Sequence, residues 1–271
     1  MKKLMKSLVT LITYVMAFIY FFPILWLFIT SLKQEKDAAI IPPSFIFSPT
    51  FEHFHEIWNN GVAYYMLNSA IVAIASTFIA LLLGVPAAYA LALYRIKRSN
   101  DILFWFISTK FMPVAGVIIP LYLLFKSLNL LDTLSVLILV YAAMNMPLVL
   151  WMMRSFFKDI PYELIEASQV DGATGLNTFF KITLPLVKSG LISTILLSMV
   201  FAWNEFFFAL SLTYTSAKTM PVYMTAFMTQ EGLFWAKMSA ASVFAIVPVL
   251  ILGWFSQKQL VRGLTMGAVK G

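Results

Sequence analysis

The chain has 271 residues, of which 61% are hydrophobic and only 11% are charged, whereas soluble domains carry about 25% charged residues. This composition indicates a membrane protein. The absence of cysteine excludes a disulfide framework, a thiolate metal site and a cysteine nucleophile. The net charge of +7 comes from short basic clusters between apolar runs, with no basic stripe, so no nucleic-acid partner is expected.

Six apolar stretches predict a single all-α transmembrane domain, 1–271. Each reaches the roughly 20 residues that cross about 30 Å of hydrocarbon, and long runs without alternation favour helices over barrel strands. The first stretch follows Lys2, Lys3 and Lys6; it is too long for a secretory signal and lacks a small-residue cleavage site. The predicted spans are 7–31, 65–93, 102–125, 134–157, 186–213 and 236–255.

The positions of the lysine and arginine residues predict how the chain crosses the membrane. With the amino terminus inside, most of the 19 basic residues fall on the inner side or at the inner ends of spans. Because positive charge is enriched on the cytoplasmic side, both termini are predicted to be cytoplasmic. The loop 158–185 is then cytoplasmic, and the loop around His53 is outside.

The inner loop 158–185 reads as two short helices. Pro161 suits a first helical position, residues 163–170 continue the helix, and Asp171-Gly172 break it, with Gly172 expected at a positive φ. A second helix over about 176–183 then leads to span five. The first helix carries carboxylates and small residues, which suit a polar docking surface. The alternative is a loop that packs only against its own bundle.

The same loop carries a recognisable motif. Glu166-Ala167-Ser168, Asp171-Gly172-Ala173 and Ile182-Thr183-Leu184-Pro185 resemble, in type and spacing, the EAA motif of binding-protein-dependent ABC importer permeases, with Ser168 where the motif has alanine. The segments 119–122, 202–206 and 261–271 extend the resemblance to nearly the whole chain. The chain looks like the shorter permease subunit of the maltose-importer type, and 108–113 is more similar to the polyol branch.

This resemblance implies a type I importer in the bacterial cytoplasmic (inner) membrane. Its parts would be this permease, a second permease, two ATPase subunits and an extracytoplasmic solute-binding protein, and the solute would be a sugar, oligosaccharide or polyol. A coupling helix in the loop 158–185 would contact the ATPase through Glu163, Glu166, Ala167, Ser168, Asp171, Gly172 and Ala173. The tail 257–271 would contact it through Arg262, Gly263, Lys270 and Gly271, the alternative being a frayed terminus.

ATP hydrolysis needs a phosphate-cradling loop of the form G-x-x-x-x-G-K-[ST], and the sequence contains none. The chain is therefore expected to bind no cofactor and not to be an enzyme, with ATP and Mg bound by the partner subunits. Two rivals are a permease for amino acids or phosphate and a membrane-embedded enzyme, which would need clustered catalytic groups. His53 and His55 resemble a metal pair only distantly; the alternative is a solvated amphipathic segment, and no metal site is assigned.

Four polar residues within the predicted spans are candidates for lining the transport pathway: Lys110, Asn145, Asn204 and Glu205. Burying an ionisable group in hydrocarbon is costly unless the group faces a cavity or a partner. Lys110 lies ~12 Å into span three. Asn145 could instead form an interhelical hydrogen bond, and Asn204 and Glu205 could also face the binding protein or pair at an interface.

Overall fold

The computed structural model describes residues 2–229 and 232–265. These residues are mostly helical, because long apolar segments in hydrocarbon satisfy their backbone groups internally as helices. In chain order the helices are α1 (Lys2–Ser31), α2 (Glu35–Ala38), α3 (Glu52–Asn59), α4 (Val62–Leu93), α5 (Ser99–Ser108), α6 (Val114–Ser127), α7 (Leu134–Lys158), α8 (Tyr162–Val170), α9 (Gly175–Asn177), α10 (Leu184–Leu186), α11 (Lys188–Trp203), α12 (Phe207–Leu212), α13 (Met220–Tyr223) and α14 (Trp235–Thr265).

Within the described residues, four helices are long and apolar enough to cross a membrane by themselves: α1, α4, α7 and α14. Two further candidates are bent pairs. Ser99–Phe111 and Val114–Ser127 meet at 93°, and Gly175–Leu186 and Lys188–Trp203 meet at 78°. Counting each pair as one span gives six segments. Five lie near the predicted positions, whereas the first arm of the last pair, Gly175–Leu186, lies in the loop that the sequence placed outside the membrane.

The third segment is not the single continuous helix that was predicted over 102–125. A 3₁₀ turn, Thr109–Phe111, follows α5, and Met112 is extended with ψ 129° before Pro113. Proline has no N–H to continue the helical ladder and disfavours helical backbone in the residue before it. Pro113 therefore separates two helices, the 3₁₀ turn that follows α5 and the helix α6.

The fifth segment also differs from the predicted continuous span over 186–213. The helix α11 ends at Trp203, and α12 begins only at Phe207. Apolar composition alone predicts one helix here. The first N–H groups of a new helix have no partner within the helix. Here the Glu205 carboxylate accepts hydrogen bonds from two of them, those of Phe208 and Ala209, at 2.9 and 3.2 Å, which favours a helix start at this point.

The described residues form two compact units, and the first contains residues up to Tyr64 together with Tyr223–Pro248. In it, the Lys33 ammonium is buried, donates to the Ser44 carbonyl at 2.7 Å and lies 4.6 Å from the centre of the Trp26 ring. The Glu35 carboxylate accepts the backbone N–H groups of Ala236 and Lys237, at 3.1 and 2.8 Å. Buried and paired charges therefore order the segment between α1 and α4.

Two features of this first unit differ from the sequence interpretation. His53 is buried, with Nε2 3.1 Å from the carbonyl oxygen of Lys33, so the segment is not simply solvated. A short antiparallel hairpin departs from an all-helical chain: β1 (Met228–Thr229) pairs with β2 (Gly232–Leu233). Within the described residues, no group of three or more His, Asp or Glu side chains is placed to hold a metal ion.

The second unit contains Tyr65–Val222 and the residues from Val249 onward. Its helices α7 and α11 approach closely at Gly190, where an added Cβ would lie 2.3 Å from the ring of Phe156. Tyr89 and Phe157 pack with ring centroids 5.4 Å apart, and Phe179 lies 4.9 Å from Tyr89. This aromatic cluster joins α4 and α7 to the loop that follows α8.

The predicted tail, 257–271, begins as a continuation of α14, which is helical to Thr265. Arg262 and Gly263 lie in this helical part. Lys270 and Gly271 lie outside the described residues, and the contact of all four tail residues with the ATPase stays a prediction.

Candidate functional site

The helix α8 has one buried face and one exposed face. Ile165 and Ser168, three residues apart, are buried, whereas Glu163, Glu166 and Ala167 are exposed. Val170, at the end of the helix, is 87% exposed. Residues three or four apart share a helix face, so burial of Ile165 and Ser168 directs two carboxylates and small or apolar side chains away from the bundle.

The end of α8 is fixed by backbone geometry. The N–H of Gly172 donates to the Gln169 carbonyl at 3.0 Å, and the N–H of Ala173 donates to the Ser168 carbonyl at 2.9 Å. This is the Schellman arrangement, which places a left-handed residue just after the helix. Gly172 has a φ of 79°, so the predicted positive φ is confirmed.

Two details of the loop were not predicted. Pro161 lies just before the helix rather than at its first position, which Tyr162 occupies. The second helix, expected over 176–183, is a longer segment, Gly175–Leu186, that contains a π-helical turn over Thr178–Thr183. Single π-helical turns often mark functional sites, so this turn is a further feature of the candidate coupling region.

Ser168, the departure from the EAA motif, has a specific contact. Its hydroxyl donates to the Ile165 carbonyl at 2.7 Å and forms a buried hydrogen bond with the Thr178 hydroxyl, with the two oxygens 3.1 Å apart. Alanine at this position would make neither contact. The hydrogen bond ties α8 to the π-helical turn, so the two halves of the loop are held together.

A cavity of about 610 Å³ lies between α4 and the loop that follows α8. Its lining is mostly aromatic and apolar: Pro86, Tyr89, Tyr94, Thr174, Gly175, Leu176, Phe179 and Phe180. The segment after α8 therefore leaves open space on the side that faces α4.

A second cavity, of about 570 Å³, lies along α7 and the bent pair α5–α6. Lys110, on the 3₁₀ turn, lies in its wall and is exposed. Among the described residues, no carboxylate forms an ion pair with Lys110. The lining is Trp105, Phe106, Thr109, Lys110, Met112, Val114, Val117, Leu121, Phe125, Leu139, Val140, Ala143, Met144, Met146 and Phe208.

Lys110 is the one predicted pathway residue among the described residues that line this cavity. Asn145 is buried between helices, where its amide donates to the Ser198 carbonyl at 3.2 Å. Asn204 donates to the Val200 carbonyl of its own helix at 2.8 Å, and Glu205 caps α12. The interhelical hydrogen bond that sequence analysis left open for Asn145 is the contact observed, and Phe208 is a lining residue that the sequence did not suggest.

Asp132, just before α7, is a second residue that sequence analysis missed. Its carboxylate accepts the backbone N–H groups of four consecutive residues, 214–217, at 2.9 to 3.1 Å. Burial alone would raise the pKa of Asp132, but the hydrogen bonds from Ser216, Thr215, Tyr214 and Ala217 outweigh burial and lower the pKa. The acid therefore stays ionised at neutral pH, the form that accepts all these donors.

These features define a multi-pass membrane transport protein. The family of inner membrane components of binding-protein-dependent transport systems matches residues 80–265, and the chain belongs to this family. It is therefore a non-catalytic ABC importer permease subunit.

Two relatives and one solved structure are similar to this chain along most of their length. The sulfoquinovosyl glycerol permease of Agrobacterium fabrum is 36% identical over 253 residues, covering 92% of this chain and 89% of the relative. The trehalose permease of Mycobacterium tuberculosis is 33% identical over 257 residues, covering 92% of both. A chain of a bacterial ABC transporter that imports alginate has the same fold, with a TM-score of 0.74, 24% identity and coverage of 94% and 96%.

Proposed function

We propose that this chain is one of two different permease subunits of an ATP-driven importer for a sugar, oligosaccharide or polyol, and that it forms half of the pathway. The names of both relatives, sulfoquinovosyl glycerol and trehalose permease, support a carbohydrate over an amino acid or phosphate. The polyol branch rests on the segment 108–113 alone. In this proposal two ATPase subunits bind ATP and Mg, and an extracytoplasmic protein delivers the solute.

The proposed orientation follows from charge. Both termini and the loop 158–185 lie on the cytoplasmic side of a bacterial cytoplasmic membrane, since this arrangement places most lysines and arginines inside. The loop 32–61 then lies outside, on the side of the solute-binding protein.

Energy coupling is assigned to the loop 158–185, and one observation carries this assignment. The helix α8 buries Ile165 and Ser168 against its own chain while it exposes Glu163 and Glu166. Exposed carboxylates can accept charge-assisted hydrogen bonds from a basic surface of the ATPase. Ala167, Asp171, Gly172 and Ala173 complete the contact. Ser168 was predicted to share it, but Ser168 is buried and holds α8 to the π-helical turn.

The solute pathway is assigned to the cavity that Lys110 lines. A cavity of about 570 Å³ falls within the range of small-molecule sites. An ammonium group at membrane depth is tolerated where it faces water or a partner, and a water-filled pathway supplies that surrounding. Asn145, Asn204 and Glu205 support the wall of this pathway through their hydrogen bonds.

The proposal is tested by reversing one charge on the coupling helix. The importer is assembled in liposomes with Glu166→Lys, and with Glu52→Lys as the matched control, since Glu52 is an exposed acid at the start of α3. Hydrogen bonds to charged groups contribute about 1.5–3 kcal/mol. Glu166→Lys should therefore weaken ATPase capture roughly tenfold or more and reduce solute-stimulated ATP turnover and uptake together, with normal membrane insertion. Wild-type rates in Glu166→Lys would contradict the coupling assignment.

A further inference from the structure

The short helix α12 follows a break in a membrane segment, where a hinged gate would be expected, yet acidic residues hold both of its ends. At its start, Glu205 accepts the backbone N–H groups of Phe208 and Ala209. At its end, the backbone N–H of Asp132 donates to the Leu212 carbonyl at 2.9 Å. The Asp132 carboxylate then holds the backbone of 214–217.

Side chains of α4 hold the same segment from another side. The amide of Asn68 donates to the carbonyls of Ser216 and Lys218, at 3.2 and 3.0 Å. The hydroxyl oxygen of Ser69 accepts the backbone N–H of Met220 at 2.7 Å. Asn68 and Ser69 are themselves buried. Three side chains from two parts of the chain thus fix the backbone of 214–220, which we name the clamped segment.

The apolar face of α12 is also fixed. Phe208, Ala209 and Leu212 are buried in a cluster with side chains of α4 and α7, among them Val72 and Tyr141. Phe208 belongs at the same time to the lining of the cavity that contains Lys110. The position of one wall of that cavity is therefore set by α12, and the position of α12 is set by Glu205 and Asp132.

We propose that α12 and the clamped segment form a fixed wall of the solute pathway, that Phe208 is a specificity-determining residue in this wall, and that Asp132 is the residue that positions it. A moving gate at this place would have to break the hydrogen bonds to Asp132, Asn68 and Ser69 in every cycle. The wall instead moves as one body with α4 and α7. This inference rests on the proposed function, because it takes the cavity to be the pathway.

The first test joins the clamped segment to α4 covalently. The chain contains no cysteine, so Ser69→Cys with Met220→Cys introduces the two thiols without background from this subunit. The assembled importer is oxidised in liposomes, the intramolecular disulfide is quantified by mass spectrometry, and uptake of a radiolabelled panel of trehalose, maltose and sorbitol is measured before and after reduction. The two single-cysteine variants, treated identically, are the controls.

A fixed wall predicts that the disulfide forms and that the oxidised importer retains the uptake of the reduced one. Loss of uptake on oxidation, restored by reduction, would show that the segment moves and would overturn the proposal. If the directions of the two side chains prevent a direct disulfide, a short bifunctional thiol crosslinker joins the same two cysteines and is judged by the same loss or retention of uptake. If the wild-type importer takes up none of a wider solute panel, the proposed function fails, and this result is distinct from either disulfide outcome.

The second test asks whether Asp132 acts through Phe208. We expect Phe208→Ala to change the KM for uptake several-fold while the maximal rate stays within about twofold, because the cavity wall has lost a ring. Asp132→Asn has one acceptor oxygen in place of two and should shift KM in the same way. The double variant should be no worse than Phe208→Ala alone. Additive effects, or a loss of maximal rate with unchanged KM, would contradict a positioning role.

Discussion

Replacing Gly172 tests the coupling loop through backbone conformation alone. Its φ is 79°, and no atom lies within 4 Å of the position that a Cβ would occupy. A larger side chain therefore meets no obstacle among the residues that the structure describes, and its cost comes only from the left-handed conformation. That cost is roughly 1–2 kcal/mol for an ordinary residue and about 1–3 kcal/mol for strained backbone in general, with β-branched residues toward the upper end.

The informative experiment is a series at this one position. Gly172→Asn should stay close to wild type because asparagine tolerates left-handed backbone. Gly172→Ala should cost about 1–2 kcal/mol and so lower the population of the docked loop roughly 5- to 30-fold. Gly172→Val should lower this population further. Uptake and solute-stimulated ATP turnover are measured in liposomes, at matched amounts of inserted protein. If Asn is as damaging as Val, a steric contact with the partner, rather than φ, is responsible, and the conformational argument is refuted.

Three further predictions concern topology, the pathway and packing. Cysteines at His55 and Asn177, both exposed, should react oppositely with an impermeant reagent in intact cells; labelling at Asn177 but not at His55 would reverse the proposed orientation. Lys110→Met should lower uptake without loss of ATPase assembly while Lys110→Arg retains uptake, and normal uptake in Lys110→Met would remove it from the pathway. Gly190→Ala, whose Cβ would lie 2.3 Å from a ring, should cost about 1–3 kcal/mol by overpacking and lower the unfolding temperature in detergent. Gly253→Ala is the control and should not lower it, because no described residue lies within 4 Å of that Cβ. Equal effects of the two variants would contradict the packing argument.

Features set by neighbouring residues could be predicted from the sequence. The apolar runs are long enough to define the segments, and Gly172 follows α8 because glycine best adopts the left-handed backbone that ends a helix. The 93° bend at Met112-Pro113 was not predicted, since a proline inside an apolar run is compatible with anything from a slight kink to a full break.

The roles of Asp132 and Glu205 could not be predicted for different reasons. Asp132 finds its partners more than 80 residues further along the chain, and nothing in the local sequence names them. Glu205 acts on residues three and four positions away, but only because the helix stops at Trp203, a break that composition does not indicate. The burial of His53 could not be predicted for the same reason as the role of Asp132, because its contact is the carbonyl of Lys33, 20 residues earlier.

Two contacts of α14 bear on how the protein is synthesised. Lys237 forms an ion pair with Glu56, at 2.6 Å, and the backbone N–H groups of Ala236 and Lys237 donate to Glu35. These partners are about 180 to 200 residues apart along the chain, so the amino-terminal part acquires them only after nearly the whole polypeptide has been synthesised. Until α14 arrives, Glu35 and Glu56 lack these bonds. A chain truncated before residue 235 would lose these contacts, so the carboxylates of Glu35 and Glu56 would lack the partners that α14 provides.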